Sequence, residues 1–235
     1  MILRYPDDIM AKYGEAIFGH TRQKRIEKFV QYVINSKYRK VVGLRPWLEE
    51  QVISALSEPA EALTQMCNAI PSSSNYDSQM ISILKHCRNG AGNLTYVRDR
   101  DNWSMSEYWQ TSYETAVMGE ADCEDGSILM YVLARMKGVP ANRMILFAGN
   151  VQSSPTAEMG GHCWLAYKPK NYPLNYVFLD WCYHSNLIPI RMRHKFCVFD
   201  KEIVEYLPTG EEIDSRYKSI WFGFSELVSF TKVTK

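Results

Sequence analysis

The stretch from Ala121 to Pro140, ADCEDGSILMYVLARMKGVP, decides how the chain is read. Asp122 is a good N-cap residue, so Cys123 is expected in the first turn of the helix that follows. Leu129, Val132, Leu133 and Met136 form an apolar stripe behind it. Gly138 supplies the C-terminal stop and Pro140 the exit. The thiol is therefore expected at the positive end of a helix dipole, which favours the reactive thiolate. Glu124 and Asp125 oppose that effect, and both are also acids that first turns favour for stability alone. Taken singly, Cys123 reads equally as a buried structural thiol.

Two segments downstream give it partners. In GGHCWLAY, residues 160–167, alternation puts His162, Trp164 and Ala166 on one strand face and Cys163, Leu165 and Tyr167 on the other. A histidine after Gly160-Gly161 has room beside it and suits a general base, although a lone histidine is also satisfied by plain hydrogen bonds. In NYVFLDWCY, residues 175–183, Asp180 ends an apolar strand. A buried acid needs donors. Asp180 either caps the following turn or orients an imidazole on the neighbouring strand. Nucleophile, base and orienter in that order, with the last two on consecutive strands that usually pair, is the pattern of a thiol triad.

Outward from these segments the chain divides by texture. Residues 1–88 read as a helical N-terminal region. Asp7 to Phe18 is one short amphipathic stretch, and Thr21 caps another carrying Ile26, Phe29, Val30, Val33 and Ile34. Pro46 and Pro59 each sit at a helix start, and a fifth helical stretch follows the turn PSSSNYD. Residues 89–235 read as the core domain: a turn-rich segment, the Cys123 helix, then strands at RMILFAG, HCWLAYK, YVFLDWCY and KFCVFDK. A helix-led half followed by a meander of strands gives an α+β class. The loop NVQSSPTAEMGG is polar and rich in small residues, the texture of loops that carry function. The basic runs near Arg22–Arg25 and Lys37–Lys40 read as solvated helix faces.

Composition narrows the classes. Net charge is +1, with 46% hydrophobic and 23% charged residues. No basic excess announces nucleic acid. No apolar run approaches the roughly 20 residues of a membrane span, and the first 20 residues lack the pattern of an export signal. The expected setting is the cytoplasm, with a virion or a host cell as other contexts. The six cysteines, at 67, 87, 123, 163, 182 and 197, form no CxxC pair and are expected as free thiols. A metal site from His162, Cys163, Cys182 and His184 is disfavoured, because Cys163 points away from His162 and zinc sites usually show tighter paired spacing. No metal and no cofactor is expected. His20, His86, His184 and His194 show no clear partner in the sequence and read as surface or structural.

At these residues the chain resembles the transglutaminase-like superfamily, and more narrowly the bacterial transglutaminase-like cysteine proteinases, a papain-like group. The resemblance runs from about Leu94 to Tyr183. It lies in LTYVRDRDNWSMSEYWQTSYETAVMGEADCEDGS, in GVPANRMILF, in GGHCWLAY and in FLDWCY. A glycine is frequent in that family where Ala121 stands here. The resemblance implies Cys123 as nucleophile, His162 as base and Asp180 as orienter, on a cysteine helix packed against an antiparallel sheet. It also implies an oxyanion site from the Cys123 backbone N–H and an upstream side chain, Trp109 or Gln110. The expected activity is peptidase or amidase chemistry on a peptide or protein substrate, through a thioester. The alternatives are a cross-linking transglutaminase and an assembly protein, of a phage or a secretion complex, that retains the core. The N-terminal helical region lies outside the resemblance and is a candidate for docking a protein partner.

Overall fold

The computed structural model describes residues 44–90, 92–104, 107–172, 174–183, 187–199 and 202–231. The helices expected over residues 7–34, both basic runs, His20 and His184 lie outside the described residues.

Three helices come first: α1 (Leu44–Ser57), α2 (Glu61–Ala69) and α3 (Tyr76–Cys87). Pro46 sits in the first turn of α1, where its missing N–H has no intrahelical partner to lose. Asn75 caps α3 by accepting the Asp77 N–H at 2.9 Å. A two-stranded parallel pair, β1 (Thr95–Tyr96) and β2 (Glu120–Ala121), brackets two short helices, α4 (Asp99–Trp103) and α5 (Ser112–Met118). Then comes α6 (Cys123–Met136), which ends just before Gly138 in the left-handed conformation at φ 79°.

Every side chain of α6 from Ile128 to Ala134 is fully buried. A helix apolar on all sides must lie inside the molecule. It does: α1, α2, α3 and α5 pack on one side of α6, and β3 (Met144–Val151) and β4 (Gly160–Tyr167) on the other. Residues 44–87 thus share one apolar core with the strands. Burial of Leu48, Leu129 or Leu133 contributes about 1.5–3 kcal/mol each.

The main sheet has five strands in the order β10-β9-β3-β4-β5, every neighbouring pair antiparallel, with β5 at Val177–Leu179, β9 at Tyr217–Phe224 and β10 at Ser229–Thr231. A second sheet, β6 (Lys195–Phe199), β7 (Glu202–Tyr206) and β8 (Glu212–Ile213), approaches the face of the main sheet opposite α6. That face carries its own apolar cluster, in which Phe178 stacks on Phe196 with centroids 3.9 Å apart. The protein is α+β. Among the described residues no helix is long and apolar enough to cross a membrane.

Gly149 on β3 is a position where only glycine fits. A Cβ there would drive into the backbone carbonyl of Ser219 on β9, beside a register shift between Ala148 and Gly149. Gly149 also faces His162 across the β3–β4 ladder. Gly149→Ala is expected to cost about 2–3 kcal/mol in urea denaturation, since backbone cannot move aside as a side chain would. Gly160→Ala, in open space on the next strand, is the near-neutral control.

Candidate active site

His162 is the third residue of β4, buried behind the exposed Gly160-Gly161. Its Nε2 lies 2.7 Å from Asp180 Oδ2. The β4–β5 register pairs Leu165 with Leu179, so Asp180 emerges just past β5, diagonal to His162. Asp180 serves both roles that the sequence leaves open. Its Oδ1 accepts the N–H groups of Cys182 and Tyr183, at 3.0 and 3.3 Å, and so caps the turn. Its Oδ2 accepts from His162 and from the Tyr217 hydroxyl, at 2.7 and 2.9 Å. This is the multiple hydrogen bonding that a fully buried carboxylate requires. With Nε2 assigned as the donor to Asp180, Nδ1 is the nitrogen left to take a proton from elsewhere. Trp164 and Tyr183 wall the imidazole, with ring centroids 6.1 and 4.8 Å away.

Cys123 is the first residue of α6, with Asp122 at the N-cap. Two contacts tie this helix end to the histidine and aspartate strands. The Trp181 indole, next to Asp180, donates to the Cys123 carbonyl at 3.2 Å. Ser127 Oγ donates to the same carbonyl at 2.7 Å and approaches the carbonyl of Cys163, next to His162, at 3.4 Å. Gly126 makes the first contact possible, because a Cβ there would overlap the Trp181 ring. The thiol itself donates to Glu124 Oε2 at 3.0 Å and not to His162. Burial pushes the thiol well above its ordinary value, and Asp122, Cys182 and Cys163 add to the shift. The residue is half-buried by surface area, and desolvation here acts against the helix end, which favours the thiolate.

Trp109 and Gln110 are both buried beside the cysteine helix. The Gln110 N–H donates to Asp125 Oδ1 at 2.7 Å, its side-chain amide to the Glu120 carbonyl at 3.2 Å, and its Oε1 accepts from Thr115. The Trp109 indole donates to Glu107 at 2.8 Å and its ring packs near Trp47, Phe222 and Phe224. In this arrangement both candidate oxyanion donors serve protein acceptors. All six cysteines are free. His86 lies against the Asn93 amide, and His194 Nδ1 stands 2.6 Å from Glu205, so both have the partners that the sequence did not reveal.

A feature that sequence reasoning missed surrounds Cys123. Asp99, Asp122 and Asp125 hold carboxylate oxygens within 4.8 Å of one another, and so do Asp99, Glu107 and Glu124. One oxygen of Asp122 and one of Glu124 are buried without a hydrogen-bond partner. Burial, reinforced by the neighbouring Asp122, pushes Asp99 up to about 8. Burial raises Asp122 to about 6, and it lifts Glu124 and Asp125 well above the ordinary carboxylate range. An oxygen-only donor set with orphaned carboxylate atoms fits a hard divalent cation such as Ca²⁺. The signal in the sequence was the run of three acids around Cys123, read only as a helix cap, with Asp99 in RDRD.

Comparison with known proteins adds only distant likenesses. No family model and no curated protein matches the chain. Among solved structures it is similar to Legionella pneumophila LapG in an EGTA-treated form, at 16% identity and a TM-score of 0.37, covering 86% of this chain and 80% of that one. The calcium-bound form of LapG matches at 17% identity and 0.34, covering 81% and 91%. A Parabacteroides distasonis ATCC 8503 structure matches at 11% identity and 0.38, covering 73% of this chain and 31% of that one.

Proposed function

We propose that the protein is a cysteine peptidase or amidase with a papain-like, transglutaminase-like core, acting on a peptide or protein substrate. The observation that supports this reading is the buried His162–Asp180 pair at 2.7 Å, tied through Trp181 to the helix end that carries Cys123. In the first half-reaction the Cys123 thiol proton passes to His162 Nδ1 as sulfur attacks the amide carbonyl and the C–S bond forms. The Cys123 backbone N–H, together with Gln110 or Trp109 once released from its present acceptor, would stabilise the oxyanion. His162 then protonates the leaving nitrogen, the C–N bond breaks and a thioester remains. Water, losing its proton to His162, completes hydrolysis and frees the thiol.

Asp99 together with either Asp122 and Asp125 or Glu107 and Glu124 would hold a hard dication beside this site. When bound, such an ion supplies positive charge against the acids that disfavour the Cys123 thiolate. An amine in place of water would make the same thioester a cross-linking intermediate. An assembly protein that keeps the core without turnover is the reading from a different class.

Labelling tests the proposal. A thiol-directed epoxide or iodoacetamide is expected to label the parent at Cys123, with labelling accelerated by Ca²⁺ and lost in Cys123→Ala. Equal labelling of parent and variant, read by intact mass, would sink the nucleophile assignment. A mass shift that appears with a peptide and disappears with hydroxylamine would identify the thioester.

A further inference from the structure

Tyr217 opens β9, two strands away from β4 in the main sheet, yet its hydroxyl donates to Asp180 Oδ2 at 2.9 Å. That oxygen is the one that also takes His162 Nε2. A β-bulge produces this reach. Along β3 and β9, Asn150 pairs with Ser219 but the next residue, Val151, pairs with Tyr217, so Lys218 is passed over. An unbroken ladder would set Lys218 opposite Val151 and turn Tyr217 to the other face. The extra residue instead puts Tyr217 on the same face as Ile220, in the apolar cluster with Trp164, Phe178 and Phe196. Its ring stands edge-on to Phe178 and Phe196, at interplanar angles of 82° and 86°. The displaced Lys218 pairs with Asp214 at 2.7 Å. Burial, together with Asp180, holds the phenol well above its ordinary range, so it acts as a donor and not as an anion.

We propose that Tyr217 is a positioning residue that tunes the His162–Asp180 pair. By donating to Oδ2 it fixes the carboxylate plane and draws negative charge from the oxygen that faces the imidazole. Asp180 then stabilises a protonated His162 less strongly than it would alone, which keeps His162 able to release its proton to the leaving group. Among the described residues, the groups around this pair include Asp122, Cys163, Cys182, Tyr183 and, over the Tyr183 ring, Arg216; Glu205 lies within electrostatic range of Tyr217. All of them are retained in the variants below, so a difference between proteins isolates the phenol.

The test is Tyr217→Phe, which keeps the ring, beside a protein with 3,5-difluorotyrosine placed at 217, a stronger donor. The ring signals of His162 are titrated by NMR in each. The expected midpoint moves to higher pH in Tyr217→Phe, by about half a unit to one unit, and to lower pH with the fluorinated ring. The same ordering is expected in the limb of the kcat/KM profile that reports His162, with kcat in Tyr217→Phe lowered about tenfold and KM unchanged. A folded Tyr217→Phe with an unmoved His162 midpoint overturns the proposal, as does a fluorinated protein that shifts in the same direction as the phenylalanine variant. If Tyr217→Phe does not fold, the fluorinated protein decides alone. The kinetic arm rests on the acyl-transfer reading; the NMR arm does not. Absence of Cys123-dependent turnover in a protein whose midpoints move as expected would therefore remove the reading and leave the tuning role standing.

Discussion

Cys123→Ala is expected to reduce turnover of a cleavable peptide by about 10⁵-fold or more, to the level of background hydrolysis. Without sulfur no covalent intermediate forms, and the remaining groups only hold substrate. His162→Ala is expected to fall nearly as far, and the double variant no further, because the two act as a unit. Asp180→Asn differs in degree and in kind. Its amide can accept at one position only, where the carboxylate accepts from His162, Tyr217, Cys182 and Tyr183. An amide NH₂ set against these donors leaves at least one of them unpaired, at about 1–3 kcal/mol in stability. The loss in kcat is expected at about 10²–10⁴-fold, from a misdirected imidazole tautomer. Steady-state kinetics and urea melts on the same preparations separate the two effects. Full activity in Cys123→Ala would remove the triad altogether.

The second large effect concerns the acids around the cysteine. Asp99 and Asp122 are raised to about 8 and about 6 from 3.8, so the folded chain binds more protons than the unfolded chain between these values. Stability from this cluster is therefore fully present below about pH 4 and is lost as pH rises through 6 and then 8. In chelator the melting temperature is expected to fall from pH 5 to pH 8. Ca²⁺ supplies the charge that protons no longer supply, and it should reverse most of that fall at pH 8. At a hundredfold excess over Kd, one bound ion contributes about 2.7 kcal/mol, or roughly 5–10 °C in a domain of this size. Asp99→Asn is expected to flatten the pH dependence and weaken the calcium response together. A melt that rises with pH in chelator, or one indifferent to Ca²⁺ at every pH, would show that the cluster is neutralised by other means.

The local features were legible because their causes are local. Asp122 and Gly138 bound α6 through capping and left-handed geometry, which depend on the residue and its immediate neighbours. The strands β3, β4, β5 and β6 fall on the apolar runs that mark them, and β3, β4 and β5 pair in sequence order. β9 was read neither as a strand nor as a partner of β3, and the choice of that partner is made across more than 60 residues of chain. Nor was Tyr217 legible as a site residue, since its direction depends on a bulge created by that pairing.

The sequence alone determined that a cysteine stands at a helix start, that a histidine opens one strand and an aspartate closes the next, and that the class is α+β. These follow from capping, alternation and the need of a buried acid for donors. Tertiary structure decided the environment of each. It wrapped the middle of α6 on all sides and set the half-buried thiol against Glu124, where desolvation opposes the helix dipole. It brought Asp99 and Glu107 from the preceding segment against the acids of the first turn. It also gave Asp180 a tyrosine from the far side of the sheet. Desolvation and through-space charge depend on what the folded chain packs around a group, and no local pattern of residues carries that information.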